Sequence, residues 1–300
     1  MIERIDEVLH NLQGERRLSP NTISAYRNDL LQFTDFLEVM AAREGKPSIP
    51  LQSVDKERLG GYFLHLRERG YSSASVARKT AALRALYQYL WRKGEVAADP
   101  TAGLGSPEVK KPLPRTIAAD EVQLLLAYTE ARDTPEGKRD HAMLRLLSAT
   151  GMRVGELVTL DVDDVDLADA RVRVIGRANR ERRLPIDAAT VASLKEYLED
   201  ARPYLTRNMP NEKALVVNQR GLRLTRQGFW LVMKGIVRGA GLPPAITPHV
   251  LRHSFAKNSI GEGVQLEQLR QLLGHASIAT TQIYTQVAGQ SPESPVPSKA

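Results

Sequence analysis

The 300-residue chain contains no cysteine. That excludes a disulfide framework, a thiolate nucleophile and any cysteine-ligated metal site, and it agrees with a reducing compartment. No apolar run approaches the ~18–20 residues that a bilayer-spanning helix needs. The opening residues, MIERIDEVLHNLQGERR, lack the apolar core of a signal peptide. A cytoplasmic protein with no membrane partner is the expectation. No internal repeat and no cluster with metal-ligand spacing is visible. One further shortage is local: no lysine lies between Lys138 and Lys195.

What the chain does have is length, apolar content and positive charge. Its length exceeds the usual size of one domain, and a 42% hydrophobic fraction suffices for packed cores. A formal net charge of +7 favours a polyanionic partner, of which nucleic acid is the usual one. Residues 1–17 read as a short amphipathic helix. Ser19-Pro20 opens a second, with a hydroxyl cap and proline at the first helical position. Ile23, Tyr26, Leu30, Phe33 and Leu37 recur at helical spacing, as a core-facing stripe does. Residues 41–53, with Gly45, Pro47 and Pro50, read as a loop. A helix over 54–69 follows, then one over 72–93 whose Val76, Leu83, Leu86, Tyr87 and Leu90 point inward. Arg78, Lys79, Arg84, Arg92 and Lys93 form its other face, which is either simply solvated or set against a phosphate backbone.

From Gly94 to Arg115 the prolines at 100, 107, 112 and 114 are too dense for a helix or a central strand, so the segment reads as a linker. Helical periodicity resumes over 120–131 and 138–150 and stops at Gly151. Val172, Val174 and Ile175, a turn at Arg177–Glu181, and Arg183–Ile186 then make a β-hairpin with an arginine-rich tip. Helices return at 188–200 and 225–239, separated by the apolar run 214–217. Thr247-Pro248 caps and starts another helix, which carries His249 and Arg252 on one face near its anion-attracting end. Gly274-His275 and Tyr284 follow. The division expected is an N-terminal helical domain 1–94, a linker 95–115, a second domain 116–287 and a disordered proline- and serine-rich tail 288–300.

Taken singly, these residues have ordinary readings. An H-x-x-R pair on a helix is a surface pair or a core histidine, a late tyrosine is packing, and Arg153 after a glycine is a helix-end partner. Their order is what carries information. ATGMRVGELVTL, VIGRANRERRLPI, TPHVLRHSFA and LLGHASIATTQIYT resemble, in sequence, the four signature segments of the tyrosine recombinase (phage integrase) family, and SPNTISAYRNDLLQF resembles its core-binding domain. The likeness is nearest to the Xer branch and covers roughly 1–287.

The resemblance implies a mainly α fold: an all-helical SAM-like core-binding domain and a mixed α+β catalytic domain with a small antiparallel sheet, the two clamping duplex DNA. It implies cutting and rejoining of DNA at specific sites, for chromosome dimer resolution or for integration and excision of a mobile element, by a homo- or hetero-tetramer. Arg153 and Arg252 match the arginines that hold the scissile phosphate, a task suited to a planar, permanently charged fork of donors. Tyr284 matches the nucleophile that forms a 3′-phosphotyrosyl link. His249 matches the residue given general-base duty, and His275 one that hydrogen-bonds the phosphate. Glu156 and His253 are candidates for supporting positions, although core packing explains His253 equally well. The family keeps bond energy in the phosphotyrosine and so needs no metal or high-energy cofactor.

Two departures qualify the likeness. The hairpin position where the family carries a general-acid lysine holds Arg177, a permanently charged guanidinium and so a poor proton donor. Arg177, or Arg180, is expected to contact the minor groove and stabilise the leaving oxygen by charge. After Tyr284, TQVAGQSPESPVPSKA has prolines where Xer-like members place a helix that docks on a neighbouring subunit, so coupling of that kind is not expected. Two rival readings share the motifs: a non-catalytic DNA-binding descendant, supported by Arg177 alone, and a type IB topoisomerase.

Overall fold

Ser19, Asp55, Ser72, Thr134, Asp187, Thr225 and Thr247 cap helix starts through their side-chain oxygens. The computed structural model describes residues 1–16, 18–105, 116–176 and 179–288, which divide between two compact units, Met1–Lys111 and Pro112–Ala300. Arg177, the proline-rich 106–115 and the tail from 289 lie outside the described residues.

In the first unit, α1 (Ile2–Arg16), α2 (Pro20–Arg43), α3 (Lys56–Glu68) and α4 (Ser73–Arg92) pack around one core. Ser19 caps α2 by accepting from the Thr22 amide at 3.2 Å, and Asp55 caps α3 from Arg58 at 2.8 Å. The expected stripe faces inward: Leu30, Phe33 and Leu37 are buried, with Ile23 and Tyr26 partly so. The stretch read as a loop begins inside α2 and ends in a 3-10 turn over Leu51–Ser53. Leu51 is buried there, and its carbonyl accepts from the Tyr87 hydroxyl at 3.2 Å. Residues 95–105 pack onto this unit, with Val96 buried, Leu104 against the core and Arg84 donating to the Leu104 carbonyl.

The basic face assigned to α4 needs correction. Lys79 is only 2% exposed and pairs with Asp29 at 2.8 Å and with Gln32 Oε1 at 2.6 Å. It lies three residues after Val76 and four before Leu83, so it belongs to the buried stripe. A buried ammonium must be paired, and Asp29, which also accepts from Arg78, supplies the charge.

The second unit is mostly helical: α5 (Ala119–Glu130), α6 (Pro135–Thr150), α7 (Val154–Leu157), α8 (Ala188–Glu196), a π-helical turn (Tyr197–Ala201), α9 (Arg202–Leu205), α10 (Arg226–Gly239), α11 (Pro248–Gly261), α12 (Leu266–Leu273) and α13 (Ala279–Ala288). Its sheet is antiparallel in the order β1 (Val165–Asp166), β2 (Arg171–Ile175), β3 (Glu181–Pro185). The register pairs Val172 with Leu184 and Val174 with Arg182. Alternation drives Val172, Val174 and Leu184 into the core. The same period puts Arg182 on that inner face.

Gly151 ends α6 in the left-handed region at φ +58, and a Cβ there would stand 2.3 Å from the Phe255 ring. Gly151→Ala therefore combines backbone strain with overpacking and should destabilise the chain by about 1–3 kcal/mol. Urea unfolding of the full-length variant checks this. A midpoint equal to the native one would contradict the geometry.

Candidate active site

Three arginines from three separate elements converge on one helix end. The last carbonyls of a helix lack intrahelical partners and carry its negative dipole charge. At the C-terminus of α12, Leu272 O accepts from Arg182 Nε at 2.9 Å, Leu273 O from Arg252 Nη2 at 2.7 Å and Gly274 O from Arg153 Nη2 at 3.2 Å. Arg153 sits at the start of α7, Arg182 on β3 and Arg252 on α11. Gly274 ends α12 at φ +62, and a Cβ there would press within 3.0 Å of the Arg182 guanidinium. The helix end thus collects positive charge at one place and offsets part of its self-repulsion.

Glu156 supplies the rest of that offset. Its carboxylate accepts from Arg182 Nη1 and Nη2 at 3.0 and 2.8 Å, from Arg153 Nη1 at 3.0 Å and from the Arg153 amide at 2.8 Å. Burial opposes ionisation, but the Arg182 and Arg153 hydrogen bonds outweigh it and hold the carboxyl below the usual range. Glu156 is thus a counter-ion and brace for Arg153. Its spacing from Arg153 pointed to a supporting position, but its link to Arg182 did not show in the sequence.

Arg252 is 6% exposed and donates to the Gly151 and Leu273 carbonyls and to His275 Nε2, the last at 3.0 Å. Burial, and then the charge of Arg153, lower its pKa to about 10, which leaves it charged at neutral pH. Because Nε2 of His275 accepts from Arg252, the proton of this imidazole sits on Nδ1, which reaches Thr281 Oγ1 at 2.9 Å. Burial, followed by Arg252 and Arg153, pushes the His275 pKa down to about 4.

Tyr284 lies on α13 with its ring nearly parallel to His275, centroids 6.4 Å apart. It packs with Ala256, Leu269 and Leu273 in a small cluster joining α11, α12 and α13, and it is 2% exposed. Burial raises its pKa against the pull of Arg252 and Arg153. Its hydroxyl lies 2.7 Å from His253 Nδ1. His249, four residues earlier on α11, is exposed. Arg153, Arg252, His275 and Tyr284 are thus brought together, His249 is exposed on α11, and Arg177 is outside the described residues. His253 is the site residue whose contact the sequence left ambiguous. The signal available was its position: His249 and His253 are four apart, and so share a helix face.

Among the described residues no group of acidic or histidine side chains could hold a metal ion, and no helix is long and apolar enough to cross a membrane. What the arrangement offers a ligand is two guanidinium groups and an imidazole beside a phenol, a set fitted to a phosphodiester.

Comparison with known proteins agrees with that chemistry. Residues 115–291 match the phage integrase family, and residues 5–94 match the phage integrase N-terminal SAM-like domain. The chain belongs to the phage integrase family. Among its relatives are the tyrosine recombinase XerC of Herpetosiphon aurantiacus, 45% identical over 288 residues (96% of this chain, 92% of that one), and the tyrosine recombinase XerD of Listeria monocytogenes, 40% identical over 287 residues (96% and 95%). With identity at that level along its length, the chain is a tyrosine recombinase of DNA. The fold is shared with the XerH site-specific recombinase bound to palindromic difH substrate (TM-score 0.73, 22% identity, 96% of this chain and 82% of that one). It is also shared with a lambda integrase dimer bound to a COC′ core site (TM-score 0.69, 17% identity, 99% and 80%).

Proposed function

We propose that the chain exchanges strands between two copies of a specific duplex site, acting as a tetramer, with Tyr284 as nucleophile. The observation that carries this reading is the convergence of Arg153, Arg252 and His275 at the end of α12, beside the Tyr284 ring. The two arginines neutralise the non-bridging oxygens as charge develops in the pentavalent transition state. Tyr284 displaces the 5′-oxygen and leaves a 3′-phosphotyrosyl link, and a 5′-hydroxyl from the other duplex later reverses the step. His275 donates to phosphate from Nε2 only after gaining a proton. An anion arriving beside it favours that by offsetting the charge of Arg252 and Arg153.

The first unit holds the flanking duplex, and the net charge of +7 supports that role. Full-length likeness to Xer proteins supports recombination between chromosomal sites. The arginine at 177 and the proline-rich tail are the sequence features that favour a mobile element instead. A plasmid carrying two directly repeated copies of a site selected by binding separates this reading from its rivals. Recombination yields an excised circle, topoisomerase action yields relaxed plasmid without circles, and a non-catalytic binder leaves the plasmid unchanged.

Arg177 makes a second expectation. Without a lysine in the hairpin, leaving-group protonation should limit cleavage. Arg177→Lys should raise the cleavage rate about 10- to 10²-fold, and a 5′-phosphorothiolate substrate should speed the native chain similarly. Single-turnover rates check both, and equal rates on the two substrates would contradict the assignment.

A further inference from the structure

The family likeness gives the general-base role to His249, yet the side chain at the tyrosine hydroxyl is His253. Nδ1 of His253 and the Tyr284 hydroxyl are 2.7 Å apart, and the ring centroids are 5.5 Å apart at 48°. The buried phenol is neutral, and a neutral phenol donates more readily than it accepts. An imidazole protonated on Nε2 presents a lone pair at Nδ1 to take that hydrogen bond. The groups that face His253 are His249 and Arg252 on α11, His275 in the turn between α12 and α13, and Tyr284 on α13. Burial, then His249 and Arg252, lower its pKa to about 4. The lone pair is therefore available throughout the neutral range.

We propose that His253 is the proton acceptor of the cleavage step, taking the phenolic proton of Tyr284 on Nδ1 as the phenolic oxygen bonds to phosphorus. This rests on the reading of Tyr284 as nucleophile. The oxygen–phosphorus bond forms and the bond to the 5′-oxygen breaks. That oxygen leaves with the bonding pair and takes a proton from solvent water. On religation the incoming 5′-hydroxyl loses its proton to solvent, and His253 returns its own to the departing phenolate. A weakly basic imidazole serves because the phenolic oxygen loses its basicity as it becomes an ester, which draws the transfer along with bond formation. The bound phosphodiester also offsets the charge of Arg252, and this raises the basicity of His253 when the site is filled.

The experiment is single-turnover cleavage of a nicked suicide duplex by the full-length chain and by His253→Ala and His253→Gln, between about pH 5.5 and 8.5. The substrate is used with both its natural 5′-oxygen and a 5′-phosphorothiolate. Glutamine can still hydrogen-bond the hydroxyl but cannot hold its proton, so it separates proton transfer from positioning. Both variants should cleave about 10²-fold or more slowly at neutral pH. Their rates should climb about tenfold per pH unit as hydroxide replaces the lost base, while the native chain stays nearly flat. The deficit should persist on the phosphorothiolate, which relieves only the leaving-group side. Gel-shift affinity and thermal unfolding of both variants confirm that they fold and bind.

A glutamine variant within about threefold of native, a variant that cleaves faster than native, or a deficit that vanishes on the phosphorothiolate overturns the proposal. Faster cleavage would mark the contact as a restraint on the tyrosine. If the native chain forms no adduct, or Tyr284→Phe still forms one, the nucleophile reading fails and takes the proposal with it. Native adduct at Tyr284 with unchanged His253 profiles sinks the proposal alone.

Discussion

Tyr284→Phe should bind its DNA site as tightly as the native chain and form no covalent adduct with it. The substitution deletes one atom. The ring keeps its packing against Ala256, Leu269 and Leu273 and its stacking on His275. The folding cost is one hydrogen bond to His253, about 0.5–1.5 kcal/mol. With Tyr284 as the proposed nucleophile, cleavage should fall by at least about 10⁴-fold, as when other covalent nucleophiles are removed. Gel shifts and denaturing electrophoresis of the same reactions separate the two effects. Adduct formation by the variant would show that another side chain attacks.

Arg252→Ala should slow cleavage severely and weaken the fold together. Loss of one preorganised donor to the transition state costs roughly 10²–10³-fold. Unlike Tyr284→Phe, this change also leaves the Gly151 and Leu273 carbonyls without their donor. Each orphaned buried acceptor costs about 1–3 kcal/mol. Arg252→Lys retains the charge but cannot span Gly151, Leu273 and His275 at once. It should keep more stability than the alanine variant while losing most of the activity. Denaturant midpoints and suicide-substrate rates for the pair test this. An alanine variant as stable as native would mean that those carbonyls find other partners.

The residues of the candidate site were legible in the sequence because the motifs fix residue types at set spacings. Arg153, Arg252, His275 and Tyr284 all fall at one place. The element that gathers them was hidden. Three successive carbonyls at the end of α12 accept from Arg182, Arg252 and Arg153, and backbone acceptors leave no side-chain signature beyond the glycine that ends the helix. Arg182 was unreadable for a related reason. In an arginine-rich hairpin only the register shows which arginine faces inward, and pairing with Val174 is what selects it. Lys79 was misread because residue type outweighed position, whereas its spacing from Val76 and Leu83 placed it among buried residues. Short elements such as α7, α9 and the π-helical turn are too brief for periodicity to register. The two helical units and the hairpin, whose patterns run over many residues, were readable.

The reaction is defined by which atom of the protein becomes bonded to DNA. Full-length native protein trapped on a nicked suicide duplex, digested and analysed by mass spectrometry, answers that directly. The expected product is a 3′-phosphoryl oligonucleotide on the Tyr284 side chain, with a free 5′-hydroxyl on the released strand. Attachment to any other residue, or a link through a 5′-phosphate, would contradict it.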